Sequence, residues 1–385
     1  MAISATAATE LAATGILDLF GDVSQTAVER ALAELRAGRP VVVEAEGHFA
    51  MAVAAELASP ALLSAMLRIG GDKACLVLTP ARLRALGQGE VDGPRGIALA
   101  GLDGARVMAL ACERGAQVEE ELLPVDAPAA PALELARLAL LLPAMLLAPL
   151  SEASADMLPA VTVRAEALAT FDQRLSSDIR IVSRAPVPLL AARNAEFVVF
   201  RGGEGMRDQV AIIVGTPDPA TPVMVRLHSA CLTGDLFGSL RCDCGDQLRG
   251  TVAAMAKAGG GVLLYLDQEG RGNGIANKIR AYKLQHEGMD TYEADETLGF
   301  DLDGRRFEFA AAMLRQLGYW QVVLMTNNPE KADTMRRSGL QVVDLRNVYG
   351  RRGAENVRYL IAKRERAGHA IDVESLEEHG AAAVG

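Results

Sequence analysis

Cys231, Cys242 and Cys244 place three of the chain's five cysteines within fourteen residues. The C-x10-C-x-C spacing lets two thiolates of a tight turn and one from the segment before it converge on a soft metal ion, for which Zn2+ is the best match. No fourth cysteine lies nearby. Closed structural zinc sites use four protein ligands, whereas three leave a position for water or substrate, so the count favours a metal that does chemistry. Two other readings compete: thiols packed as small hydrophobes, or a disulfide with one thiol left over. Both fit poorly, because Arg241, Asp243 and Gly245 flank the cluster and a C-x-C pair is awkward geometry for a bridge between its own sulfurs. Cys75 and Cys112 lie in apolar, strand-like segments and read as core thiols.

Four weaker clusters follow. Gly270, Gly272 and Gly274 surround Arg271, a loop that lets backbone approach an anion while the guanidinium pairs with phosphate oxygens; an ordinary flexible turn is the plain alternative. Thr326-Asn-Asn-Pro-Glu-Lys331 suits the capped start of a helix, and the same geometry leaves N–H donors for an anion, with Lys331 adding charge. Asp303-Gly304-Arg305 would be a surface ion pair in most proteins. Tyr282 falls on a helix with basic neighbours, where half-buried packing is the simpler role.

The elements that must position these groups alternate. Thr26 to Ala37 has helical periodicity, Pro40 to Glu44 reads as a strand, a helix follows at roughly 57–69, and Cys75 to Thr79 reads as a second strand. Leu138 to Leu150 is an apolar run of 13 residues containing Pro143 and Pro149, too short to span a bilayer and read as a buried helix. Periodicity breaks near 172–188. Segments 196–200, 209–214 and 223–227 then read as strands. Downstream, helices at about 246–257, 275–285 and 306–317 alternate with strands 262–266 and 321–325. Polar loops at the carboxyl ends of such strands are where α/β proteins hold ligands.

Composition bounds the class. A chain of 385 residues, half of them hydrophobic and 4% aromatic, has material for two globular cores. The net charge of −10 gives no electrostatic footprint for nucleic-acid binding. The first ten residues lack a basic n-region, so no secretory signal is expected. Clustered thiols suit a reducing cytoplasm, and no membrane partner is expected.

Read in order, His228-Ser-Ala-Cys-Leu-Thr-Gly-Asp, Arg241-Cys-Asp-Cys-Gly, Gln268-Glu-Gly-Arg, Asn277-Lys-Ile-Arg-Ala-Tyr282, Leu298-Gly-Phe with Asp303 and Arg305, and Thr326-Asn-Asn-Pro-Glu-Lys331 resemble GTP cyclohydrolase II. The resemblance covers about 183–370. It implies one Zn2+ per chain on Cys231, Cys242 and Cys244, with Mg2+ accompanying the triphosphate. It also implies nucleotide contacts from Arg226, Leu227, His228, Ser229, Ala230, Gln247, Glu269, Gly270, Arg271, Thr291, Thr326 and Lys331. Tyr282 corresponds to an active-site tyrosine, Asp303 to a proton acceptor and Arg305 to the residue assigned as nucleophile. The implied reaction opens the imidazole ring of GTP, releases formate and pyrophosphate, and leaves 2,5-diamino-6-(ribosylamino)pyrimidin-4-one 5'-phosphate, the first step of riboflavin biosynthesis. The implied assembly is a homodimer.

The chain departs from the family pattern at Ala230, where glutamate is frequent, at Arg306, and in Asp344 to Gly350, which lacks the usual proline-containing turn. These departures leave open a relative redirected to another purine nucleotide, and a non-catalytic nucleotide-sensing scaffold is the reading from a different class. Residues 26 to about 150 resemble, more faintly, a 3,4-dihydroxy-2-butanone 4-phosphate synthase domain. Its acidic loop is reduced to Glu44-Ala-Glu-Gly-His-Phe-Ala-Met51, too few oxygen ligands for a hard divalent metal, and His48 reads as a surface turn residue. The expectation is an α+β chain of two domains: a degenerate synthase-like α/β domain over 1–172 and a mixed α/β cyclohydrolase domain over 183–370, with a tail over 371–385.

Overall fold

The computed structural model describes residues 21–350 except 178, 203–207 and 301–303, with only the backbone of 172–177. The expected tail and residues 351–370 lie outside the described residues. Contacts divide the chain into two compact units, Met1–Asp172 and Gln173–Gly385.

The N-terminal unit is built on β1 (Val41–Ala45), β2 (His48–Ala54), β3 (Cys75–Leu78), β4 (Arg95–Ala98), β5 (Leu122–Leu123), β6 (Ala144–Leu150) and β7 (Thr162–Arg164), ordered β5-β4-β3-β6-β2-β1-β7. Only β1 and β7 pair in parallel; the other neighbours are antiparallel. Its helices are α1 (Val23–Arg36), α2 (Pro60–Gly70), α3 (Pro80–Ala85), α4 (Gly104–Cys112), α5 (Ala129–Leu138), α6 (Glu152–Met157) and α7 (Ala165–Ser177), the division between units falling within the last. Local sequence sets their starts: Asp22, Ser59 and Thr79 cap α1, α2 and α3 by accepting backbone N–H bonds, and Pro60 and Pro80 occupy the first helical position. Helix α1 buries Val28, Ala31, Leu32 and Leu35, the i, i+3, i+4, i+7 stripe of an amphipathic helix.

Four local expectations change. The apolar run 138–150 is the end of α5 followed by strand β6, not one helix; Pro143 cannot sit inside a helix without removing a hydrogen bond, and β6 finds β2 and β3 on its two sides. Cys112 ends helix α4 and is not in a strand; its Sγ lies 3.4 Å from the Met108 carbonyl. The break at 172–188 is largely regular, made of the end of α7 and an edge strand. His48 is exposed but opens β2, just after a two-residue turn in which Glu46 (φ 53) and Gly47 (φ 75) are left-handed, the geometry that suits strand twist in a tight hairpin.

The C-terminal unit carries a second sheet of seven strands: β8 (Arg180–Pro186), β9 (Ala195–Arg201), β10 (Gln209–Gly215), β11 (Val223–Ser229), β12 (Gly260–Leu266), β13 (Gln321–Met325) and β14 (Gln341–Arg346). The order is β14-β13-β11-β12-β10-β9-β8. The first four run parallel and the rest antiparallel. Its helices are α8 (Leu232–Asp235), α9 (Cys244–Lys257), α10 (Gly274–His286), α11 (Thr291–Thr297), α12 (Glu308–Gln316) and α13 (Pro329–Arg337). Both faces are covered, so β12 is apolar throughout: Val262, Leu264 and Leu266 join the core containing Phe309 and Met313 of α12, while Leu263 packs in the core containing Val252 and Met255 of α9. Gly261 permits this, since a Cβ there would meet Met255 Cγ at 2.6 Å.

This topology brings distant motifs together. Adjacent parallel strands β13, β11 and β12 end at Met325, Ser229 and Leu266. Their carboxyl ends lead directly into the segments beginning at Thr326, Ala230 and Asp267.

Candidate metal and nucleotide site

Cys231 follows β11 and caps α8, while Cys242 and Cys244 lie in and after the turn that opens α9. The three sulfurs lie within 4.8 Å of one another, and Cys231 and Cys242 are buried. Two glycines make that convergence possible. A Cβ on Gly234 would lie 2.7 Å from Cys242 Sγ and 3.0 Å from Cys231 Sγ. A Cβ on Gly245 would collide with the Gly234 carbonyl oxygen. The donor set, three convergent soft sulfurs, fits Zn2+.

The thiols are unequal. Cys231 ionises first: Cys242 and Cys244 donate to its sulfur, and Lys278 approaches it. Donation to the Cys231 sulfur holds the thiols of Cys242 and Cys244 up, with burial and the charge of Cys231 adding to the effect. Lys278 Nζ donates to Cys231 Sγ at 3.1 Å and to Glu269 Oε1 at 2.7 Å. Glu269 Oε2 accepts from Leu232 N at 2.5 Å.

Asp235 ties this loop to the sheet. Its carboxylate accepts from Cys231 N at 2.9 Å and Tyr265 Oη at 3.1 Å, and stands 3.1 Å from His228 Nε2. Burial pushes the His228 pKa down despite Asp235. A neutral imidazole donating from Nε2 leaves Nδ1 as a bare acceptor, and Nδ1 is buried without a partner. Arg226 Nε and Asp243 Oδ1 are also buried without partners. Such groups are rare in native interiors and point to a ligand or water. The rest of the Arg226 guanidinium donates to the Met325 carbonyl and to Gln247 Oε1, and Gln247 Nε2 donates to Asp243. Burial lowers the Arg226 pKa to about 10, which leaves the group charged at neutral pH.

The other expected groups are placed as follows. Leu227 is buried in β11 and its carbonyl accepts from Lys331 Nζ at 2.8 Å. Ser229 donates weakly, at 3.5 Å, to Gln268, whose amide donates to the Arg306 carbonyl. Ala230 N donates to the Leu266 carbonyl at 2.7 Å. Gly270 and Arg271 are both left-handed, at φ 61 and 62, a strained state for arginine. The Arg271 guanidinium pairs with Asp295 at 3.1 Å and stacks 4.3 Å from the Tyr292 ring. Thr291 begins α11 and accepts from Gln285. Thr326 accepts from Asn328 N at 3.0 Å within the cap of α13. Arg305 and Lys331 lie 5.7 and 4.8 Å from the Phe307 ring. Asp303 lies outside the described residues.

Tyr282 Oη is 3.5 Å from Thr233 Oγ1, which is itself 3.8 Å from Cys231 Sγ. Burial raises the tyrosine pKa, with Thr233 and Lys278 opposing, so the phenol keeps its proton. Arg241 stacks on the ring at 5.3 Å and donates to the Tyr282 carbonyl. Sequence reasoning gave no role to Gly234, Asp235, Lys278, Asp295 or Phe307. The i, i+4 spacing of Lys278 and Tyr282 on α10 was the one available hint, since residues at that spacing share a helix face.

Residues 180–347 match the family model described as GTP cyclohydrolase II. The chain is 45% identical to GTP cyclohydrolase-2 of Xylella fastidiosa strain Temecula1, across 93% of this chain and 90% of that protein. The chain belongs to the GTP cyclohydrolase II family. It is also 34% identical to riboflavin biosynthesis protein RibBA of Salinispora tropica, across 89% of this chain and 98% of that one. Similarity to these family members therefore runs through both units. Among solved structures, RibBX, a two-domain 3,4-dihydroxy-2-butanone 4-phosphate synthase from A. baumannii, overlaps 84% of this chain and 99% of its own, at TM-score 0.32 and 16% identity. That overlap is too loose to bear on the fold of either unit.

Proposed function

We propose that the C-terminal unit hydrolyses GTP to formate, pyrophosphate and 2,5-diamino-6-(ribosylamino)pyrimidin-4-one 5'-phosphate in riboflavin biosynthesis. The convergence of three cysteine sulfurs within 4.8 Å carries this reading. Cys231, Cys242 and Cys244 would hold one Zn2+, which when bound supplies Lewis acidity and water activation.

The chain's own groups supply the rest. Tyr282, kept protonated by burial, is the donor for a leaving nitrogen. Arg226 Nε, His228 Nδ1 and Asp243 Oδ1, buried and unpaired, are two acceptors and one donor suited to a purine's polar edge. The cationic groups of Lys331 and Arg305, both near Phe307, would meet the triphosphate together with Mg2+ held on phosphate oxygens. Arg271 would have to exchange Asp295 for a phosphate oxygen to join them. A guanidinium attacks as a nucleophile only after losing a proton, which its high pKa resists; Asp303 is the carboxylate assigned to take it. A homodimer in the cytoplasm is part of the proposal, and a mass measurement in solution tests the former. No described helix is long and apolar enough to cross a membrane.

For the N-terminal unit we propose a synthase-like domain without synthase activity. Glu44 accepts from Gly47 N at 3.3 Å and stands 3.5 Å from Arg164, and Glu46 is exposed. A carboxylate engaged in this way is a poor start for a magnesium site. Consumption of ribulose 5-phosphate by the purified protein would overturn this part. The cyclohydrolase reading is tested by assaying formate and pyrophosphate from GTP, with other purine nucleotides alongside, using zinc-loaded protein and Mg2+. No formate from protein with zinc bound would sink it.

A further inference from the structure

The three-cysteine site has a fourth side chain in contact with it that is neither a ligand nor an assigned catalytic group. Lys278 lies on α10, far in sequence from Cys231, yet its ammonium is 3.1 Å from that sulfur. The side chain is 10% exposed, so water competes poorly for the contact. Glu269 fixes the ammonium from the other side at 2.7 Å. The second oxygen of Glu269 accepts from the backbone N–H of Leu232, the residue after Cys231, at 2.5 Å. One ion pair thus holds both the sulfur of Cys231 and the peptide group that follows it. The ammonium is also 5.6 Å from the Tyr282 ring centroid.

We infer that Lys278 is a positioning residue of the metal centre, one that orients Cys231 and polarises its sulfur alone among the three. This rests on the metal reading proposed above. Among the described residues, neither Cys242 nor Cys244 receives a hydrogen bond from a lysine or arginine side chain. Groups outside a coordination sphere that orient and bond its ligands tune the metal they hold. Because Glu269 balances the ammonium's charge, the effect is local to Cys231 and directional. A charged N–H donor at a thiolate stabilises the sulfur lone pair, so that sulfur gives up electron density to the metal least readily.

The test uses the full chain loaded with Co2+, whose sulfur-to-metal charge-transfer absorption reports the sulfur lone-pair energy. The parent protein is compared with Lys278→Met, Lys278→Arg and the paired Lys278→Met/Glu269→Gln variant, which leaves no buried carboxylate unpaired. The expected result is a shift of the band to longer wavelength in both Met-containing variants at one Co2+ per chain, with the parental position restored by Arg. An unmoved band in a folded, cobalt-loaded Met variant overturns the inference. Loss of folding in both Met variants with Arg intact also overturns it, making Lys278 a structural prop. Failure of the parent chain to take up Co2+ sinks the metal reading, and this inference with it, whereas an unmoved band leaves the metal reading standing.

Discussion

The two units are both seven-stranded mixed sheets flanked by helices, yet they treat buried polarity in opposite ways. Among the described residues, Arg82 is the buried polar or charged side chain of the N-terminal unit, against fifteen in the C-terminal unit. Arg82 plays a structural part, since its guanidinium donates to the carbonyls of Ala109, Leu110 and Glu113 at 2.7–2.8 Å, where α4 ends. The Ala109 carbonyl also accepts from Glu113 N at 3.1 Å; the last carbonyls of a helix lack internal partners, and a cation there complements the negative end of the helix dipole. Burial lowers its pKa to about 10, so it remains charged at neutral pH. In the C-terminal unit many of the buried polar groups lie where parallel strands end, and five of the fifteen keep an atom unpaired, those of Arg226, His228 and Asp243 among them. Unpaired buried groups are what a ligand site needs, whereas a buried polar group whose bonds are made within the chain contributes to folding.

The strongest way to break this comparison is at the cysteines. Cys242→Ser should lose its stoichiometric metal and bring formate release to background, while Cys112→Ser leaves both unchanged; equal effects would erase the distinction between the units. Next, Asp235→Asn should weaken metal affinity by about 10- to 100-fold, measured by chelator competition, because it loosens the hold on Cys231 N and His228. Unchanged affinity would make Asp235 incidental to the cluster. On the other side, Arg82→Leu should lower stability by about 3 kcal/mol through loss of its charged hydrogen bonds, read from denaturant unfolding. It should leave formate release per folded molecule intact, and a matching loss of activity would tie the N-terminal unit to catalysis.

The smallest effect expected is a pH slope. The folded-state pKa of His228 is pushed below its ordinary 6.5 by burial. The unfolded chain therefore takes up a proton near pH 6.5 that the folded chain refuses until lower pH. The stability contribution is complete above that value and declines as pH falls below it. Urea midpoints between pH 8 and 5 should drop less steeply in His228→Gln than in the parent, and parallel slopes would refute the assignment.

Much of this was written in local order along the chain. The C-x10-C-x-C spacing announced a cluster of thiols able to hold a metal, and Asn328 and Pro329 announced the start of α13. Five of the seven strands of the C-terminal sheet were legible because apolar runs bounded by glycine and proline have few other solutions, whereas the exposed edge strands β8 and β14 were not read as strands. Residues 138–150 were misread because an apolar run buried on every side carries no period to separate helix from strand.

What the sequence alone determined is the inventory: which residue types exist to bind a soft metal, and which segments are apolar enough to form a core. Only the tertiary structure decided which groups meet. The order β13-β11-β12 sets the loops after residues 229, 266 and 325 side by side, and nothing local encodes that adjacency. It likewise set Lys278 against Cys231 and Asp235 between His228 and Tyr265. A lysine or an aspartate looks the same in a sequence whether solvated or buried, and only the packing around it fixes the partner it needs.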